Sequence, residues 1–205
     1  SRPGARLLLS GCFADQIGAV EAALGPDVTN HWQTRGEWAA ALASLRPQVR
    51  VVTVQANDAA AVTQARRLFE EYWASFGFTP CFQNFGAEVA SLPGAYQAPG
   101  GELLLALDTA SGEAVGVIAY KRWDDTRCEA KRLYVSPVAR GKGIGRLLLN
   151  ELAARARAAG YRAIVGDTMP VMKDALLLYE RMGFRQTGPY SDNPTPGAIY
   201  MEYVL

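Results

Sequence analysis

Residues 140–146 read Arg-Gly-Lys-Gly-Ile-Gly-Arg and lie between a predicted strand and a predicted helix. Glycines in such a run let the backbone take positive φ and come close to a ligand. The helix start that follows leaves N–H groups without intrahelical partners at the positive end of a dipole. A site of this kind binds phosphate. Arg140, Lys142 and Arg146 sit where that dipole disfavours cations by roughly 0.3–1 kcal/mol each. A purely structural helix start would carry Asp, Ser or Glu instead. An anionic ligand removes the conflict; the plainer alternative is a solvated basic turn with flexible glycines. The Walker spacing is absent. A dinucleotide fingerprint would need glycine where Arg146 stands, although Asp167 follows at about the twenty-residue distance of a ribose acid. The preceding strand, Glu129–Val135, is also too polar to be buried on both faces, which weakens a nicotinamide reading.

The surrounding pattern must position this turn. Val49–Val54 reads as a strand rich in β-branched residues. A helix follows, capped by Asn57 or Asp58 and closed by Gly77, with Val62, Ala65, Phe69, Tyr72 and Phe76 on one stripe. A shorter helix spans about 83–92. Glu102–Leu107, Ala114–Trp123 and Cys128–Val135, separated by short polar turns, predict an antiparallel meander. A helix over 145–159 ends at Gly160, and Ala163–Gly166 is a buried strand. A helix over 171–182 precedes two last strands, from Phe184 and over Ala198–Leu205, joined by the loop 191–197. The expected fold is α/β: a mixed, mostly antiparallel sheet flanked by helices, with one parallel pair across the crossover helix.

The first 48 residues read as a small α/β extension of unknown role. It has a strand at Leu7-Leu8-Leu9, a helix over 15–24 ended by Gly25-Pro26, and a second helix over 36–45 stopped by Pro47.

Composition narrows the class. Among 205 residues, 21 Lys and Arg stand against 20 Asp and Glu, a net charge of +1 that argues against a nucleic-acid footprint or a polybasic membrane anchor. Three cysteines, Cys12, Cys81 and Cys128, form no CxxC pair and suit a reduced chain. With one histidine, His31, no metal site is expected. Residues 6–9 are too short for a signal-peptide core. No apolar run is long enough to span a bilayer. A cytoplasmic location is the expectation.

Leu133-Tyr134-Val135-Ser136-Pro137, followed by Arg140-Gly141-Lys142-Gly143-Ile144-Gly145, resembles the acyl-CoA-binding motif of the GNAT N-acetyltransferase superfamily. Leu178-Tyr179-Glu180-Arg181-Met182-Gly183-Phe184 is similar to that superfamily's second motif, in the right order. The resemblance covers about residues 49–205. It implies transfer of acetyl from acetyl-CoA to a primary amine by direct attack. The alternative is a CoA-binding or sensing module that has lost the chemistry. It further implies that the amides of 141–145 cradle the CoA pyrophosphate and that pantetheine pairs with the backbone of Leu133 and Val135. Leu133, Tyr134, Val135 and the whole run Arg140, Gly141, Lys142, Gly143, Ile144, Gly145 and Arg146 are the expected cofactor-binding residues. Tyr179 is the implied acid for the departing thiolate, and its structural alternative is packing against Phe184 at the helix end.

Glu129, four residues before Leu133, is the base that the resemblance implies, since some relatives place a glutamate at the equivalent distance. The competing readings are a water chain, or a solvated strand glutamate paired with Lys131 or Arg132. Many relatives carry Asn seven residues before the motif tyrosine; here that position is Met172. Asp167 and Thr168 either reach pantetheine or the acceptor, or cap the next helix. The aromatic run from Tyr72 to Phe85 is expected to be mostly core, with some rings at the acceptor site. The partner is a small-molecule or peptide amine, and a homodimer is left open.

Overall fold

The computed structural model describes residues 6–24, 28–45, 48–76, 85–191 and 196–205. By backbone proximity the chain falls into two compact units, Ser1–Arg50 with Thr109–Ser111, and Val51–Asp108 with Gly112–Leu205.

The first unit runs β1 (Arg6–Phe13), a 3-10 turn at Ala14–Gln16, α1 (Ile17–Leu24), β2 (Val28–Arg35) and β3 (Trp38–Leu45). β1 and β2 each pair antiparallel with β3, in the order β1-β3-β2. The helix expected over 36–45 is therefore a strand, β3, and among the described residues of the extension α1 is the one α-helix. Trp38, Leu42 and Leu45 do fall at helical spacing, in a segment rich in alanine. Helix propensity is worth only tenths of a kcal/mol per residue, and ladders on both edges of β3 override it. The expected stops Gly25-Pro26 and Pro47 lie outside the described residues.

A second sheet has seven strands: β4 (Val49–Thr53), β5 (Glu102–Asp108), β6 (Ala114–Arg122), β7 (Arg127–Val135), β8 (Ala163–Thr168), β9 (Arg185–Thr187) and β10 (Ile199–Val204). Their order is β4-β5-β6-β7-β8-β10-β9. β5, β6 and β7 form the antiparallel meander. The pair β7–β8 is parallel, across α4 (Ile144–Ala158), and β10 lies antiparallel between β8 and β9.

On one face, α2 (Ala59–Ala74) and α3 (Phe85–Ala90) cover Leu103, Leu105, Val117 and Ala119 with Leu68, Phe69 and Val89. Strand alternation puts Gly116 and Ile118 on the other face, where a side chain at Gly116 would meet Leu148 and Ile144 of α4. Fully buried Leu68, Phe69 and Leu148 each stabilise the fold by roughly 1.5–3 kcal/mol. The α2 start is held by Asp58, whose carboxylate accepts from the Ala61 amide at 3.0 Å. α2 ends at Ala74, with Ser75 as its cap; Gly77, expected there, lies outside the described residues, as do Cys81, the rings at 78 and 82, and 192–195 of the last loop. Gly160 closes α4, and Gly183 closes α5 (Lys173–Met182), both at φ +92°. Among the described residues no helix is long and apolar enough to cross a membrane.

Candidate active site

β7 and β8 pair through only three positions: Arg127 with Ala163, Cys128 with Ile164 and Glu129 with Val165. Beyond Glu129, β7 stays with β6 while β8 stays with β10, so the two strands part. A bulge marks the place. Tyr134 lies opposite Val117 and Lys131 opposite Ala119, so Arg132 and Leu133 together face Ile118. Arg132 has φ +58°, the only positive value at a non-glycine residue among those described.

A cleft of about 730 Å³ opens along this edge, bounded by Leu133, Val135, the glycine turn, and Lys173 and Leu178 of α5. Gly143 is the residue before the first helical turn of α4, at φ +78°, and no side chain caps that turn. A side chain at 143 would meet open space, so the φ value demands glycine there. Gly145 is needed for a different reason. A Cβ at this position would lie 3.1 Å from Leu178 Cδ2, where α4 crosses α5. The first turn of α4 holds no acidic residue. The amides of Ile144, Gly145 and Arg146 thus have no acceptor within their own helix. Arg140 and Arg146 are exposed at the cleft; Lys142 is exposed outside its lining. Arg140 Nε donates to the Val135 carbonyl at 3.0 Å, and its guanidinium lies 5.7 Å from the centre of the Tyr134 ring. Tyr134 and Ile144 are buried, and both border the cleft.

At the inner end lies an enclosed space of about 50 Å³, bounded by Tyr179, Tyr72, Lys131, Asp167, Thr168 and Met172. Tyr179 is half-buried, and its ring centre lies 5.3 Å from that of Phe184. The Phe184 amide donates to the Tyr179 carbonyl at 3.0 Å, closing a Schellman turn on Gly183. Packing and cavity lining therefore coexist in one residue. Burial, then the nearby Tyr72 and Asp167, push the Tyr179 hydroxyl above the ordinary phenol value, so it holds its proton at neutral pH.

Glu129 is 3% exposed rather than solvated. Its Oε1 lies 2.8 Å from Lys131 Nζ and accepts from the Tyr190 hydroxyl at 3.1 Å. Its Oε2 lies 3.3 Å from Lys121 Nζ and accepts no hydrogen bond. Lys131 also reaches Asp167 Oδ1 at 2.8 Å. Burial works against the Lys131 charge, but Asp167 and Glu129 outweigh it and hold the ammonium protonated beyond its usual range. Arg132, the other expected partner of Glu129, pairs with Glu88 at 2.5 Å instead.

Asp167 and Thr168 do not cap α5. The position before that helix is Met172, and Thr168 Oγ1 donates to Met172 Sδ at 3.6 Å. Trp73 stacks on Phe85 at 4.1 Å, inside the helix pair. Burial pushes the Cys128 thiol up to about 12, which makes it a poor nucleophile.

Sequence reasoning missed Glu88 and Tyr190. Their partners lie 44 and 61 residues away, and no local pattern marks them.

The acetyltransferase (GNAT) family model matches residues 63–184, more than half the chain. An uncharacterised N-acetyltransferase of Schizosaccharomyces pombe is 38% identical over 137 residues, which is 66% of this chain and 83% of that protein. Among solved structures, an acetyltransferase from Streptococcus agalactiae superposes with a TM-score of 0.65 at 23% identity, over 77% of this chain and 99% of the other. A GNAT acetyltransferase from Elizabethkingia anophelis with acetyl-CoA bound gives 0.54 at 20% identity, over 78% and 100%. A bulged strand that parts from its neighbour, an uncapped glycine turn and a tyrosine at the inner end are what that likeness has to account for, and with it the chain belongs to the GNAT acetyltransferase family: it is an acyltransferase that moves acetyl groups to amines.

Proposed function

We propose that the 730 Å³ cleft takes acetyl-CoA and that the acceptor is a small-molecule or peptide amine. The observation that carries this reading is the uncapped turn at Gly143, open to the cleft with cationic side chains on either side. The coenzyme's pyrophosphate fits the amides of 144–146, with Arg140, Lys142 and Arg146 supplying charge; Gly141 lets the chain approach. Pantetheine runs along the β7 edge, where two amides of its own match the backbone of Leu133 and Val135. Arg140 then yields the Val135 carbonyl to one of them.

Transfer follows from the same placement. The free amine attacks the thioester carbonyl, the C–S bond breaks, and the thiolate takes a proton from Tyr179. The phenolate is reprotonated by the second proton that the nitrogen sheds as it becomes an amide. The amine's proton goes to Glu129 through a water, because the Glu129 oxygens are covered by Lys121, Lys131 and Tyr190. An ammonium with a pKa near about 10 cannot attack until that proton is gone.

Residues 49–205 form the acetyltransferase domain, and the first 48 are an accessory extension. Three widely spaced cysteines with no CxxC pair in the sequence support a reducing, cytoplasmic setting. The test is calorimetric titration with acetyl-CoA, followed by thiol release against a panel of small amines, amino acids and peptides. Binding with amine-dependent release is expected. No binding, or binding without turnover across the panel, overturns the proposal.

A further inference from the structure

We propose that Glu88 is a positioning residue for the coenzyme: its grip on Arg132 keeps β7 bulged and so keeps open the slot for the pantetheine arm. The inference rests on the coenzyme A reading above and adds to it a residue from the opposite side of the sheet.

Glu88 lies on α3 and holds Arg132 with both oxygens. Oε2 is 2.5 Å from Nη2, and Oε1 accepts from Nε at 3.0 Å. Such a two-point pair fixes orientation as well as charge. The carboxylate is itself aligned, because the Tyr96 hydroxyl donates to Oε1 at 2.6 Å. The guanidinium also lies 5.6–5.9 Å from the ring centres of Phe85, Trp73 and Tyr72. The Arg132 side chain is thereby anchored to the α2–α3 layer at four places. Its backbone meanwhile takes φ +58°, a left-handed conformation that a long side chain disfavours and that persists only when its surroundings impose it.

The consequence falls on the next residue. Leu133 borders both the large cleft and the inner space beside Tyr179. If Arg132 relaxed to extended backbone, β7 would pair one-to-one with β6. The 131–133 edge would then turn away from the gap, since a one-residue change in register moves every side chain to the other face. The glycine turn lies beyond Ser136, whose amide is separately held by the Val115 carbonyl at 2.9 Å. Loss of the Glu88 grip should therefore weaken the pantetheine half of the site and spare the phosphate half.

The test uses calorimetry on the full chain with two probes: coenzyme A, and 3′-phosphoadenosine 5′-diphosphate, which lacks the pantetheine arm. In Glu88→Ala the affinity for coenzyme A should fall about tenfold, and that for the nucleotide should stay within about twofold. Adding Arg132→Gly to Glu88→Ala should recover most of the lost affinity, because glycine takes positive φ without a tether. If Glu88→Ala does not fold, Glu88→Gln, which keeps the size and removes the charge, carries the same comparison. Unchanged coenzyme A affinity, equal weakening of both probes, or no recovery with glycine overturns the inference. A wild-type protein that binds neither probe overturns the coenzyme reading itself, and this inference with it.

Discussion

Lys131 Nζ stands 2.8 Å from Asp167 Oδ1 and 2.8 Å from Glu129 Oε1, so one ammonium spans β7 and β8 at the point where their backbone pairing has stopped. The bridge replaces ladder bonds with a charge contact while the strands separate. Lys131→Met would leave the buried Glu129 carboxylate with only Lys121 as a cationic partner, beside the hydrogen bond from the Tyr190 hydroxyl. Removing one partner of a buried pair costs about 3–5 kcal/mol, and urea unfolding should show a loss of that order. A loss below about 1 kcal/mol would mean that the carboxylates are re-solvated at little cost.

Tyr179→Phe keeps the ring against Phe184 and removes only the hydroxyl. Turnover with a saturating amine should fall by about a hundredfold, a typical share for one positioned acid, while the KM for acetyl-CoA changes little. Steady-state kinetics separates the two effects. An unchanged kcat would take the acid role away from this residue.

Gly143→Glu should leave the protein folded and unable to bind coenzyme A. The new side chain meets open space, but its backbone must hold φ +78°, at a cost of roughly 1–2 kcal/mol. The carboxylate then stands where the pyrophosphate would sit. A melting curve reports the fold and calorimetry reports binding; retained affinity would remove the turn from the cofactor site.

Alkaline pH should weaken the fold through buried phenols. Burial is the main cause that raises the Tyr96 and Tyr120 hydroxyls above the ordinary tyrosine value, with Glu88 adding at Tyr96 and Glu102 at Tyr120. Both residues are nearly inaccessible, at 5% and 1% exposed. The folded chain therefore keeps protons that the unfolded chain gives up above about pH 10. The contribution is complete below that pH and is lost as the pH rises towards the folded values. The slope is about 1.4 kcal/mol per pH unit for each phenol. Urea midpoints at about pH 9 and about pH 11 should differ in that direction, and equal midpoints would show that these hydroxyls titrate normally.

Local patterns sufficed for the elements that carry the family likeness. The meander, the glycine turn, α4 and the tyrosine helix could be read because each is specified by neighbouring residues: turn chemistry, capping, and periodicity over a dozen positions. The segment 36–45 could not. Its apolar spacing suits a helix and its alanines prefer one, and only pairing with β1 and β2 makes it a strand. Glu129 was legible as a carboxylate on the right strand, but not as one enclosed by two lysines and Tyr190. Asp167, expected either to reach pantetheine or the acceptor or to cap the next helix, does not cap it and holds Lys131 across the parted strands.

By itself, then, the sequence determined the order of elements in the second sheet and the place where an anion can be gripped, since both follow from bonds and angles within a few residues. Only the tertiary structure decided which charges meet at the parting of β7 and β8. Lys131 and Asp167, like Arg132 and Glu88, are separated by tens of residues and come together through sheet register and the bulge at Arg132, which no stretch of neighbouring residues encodes.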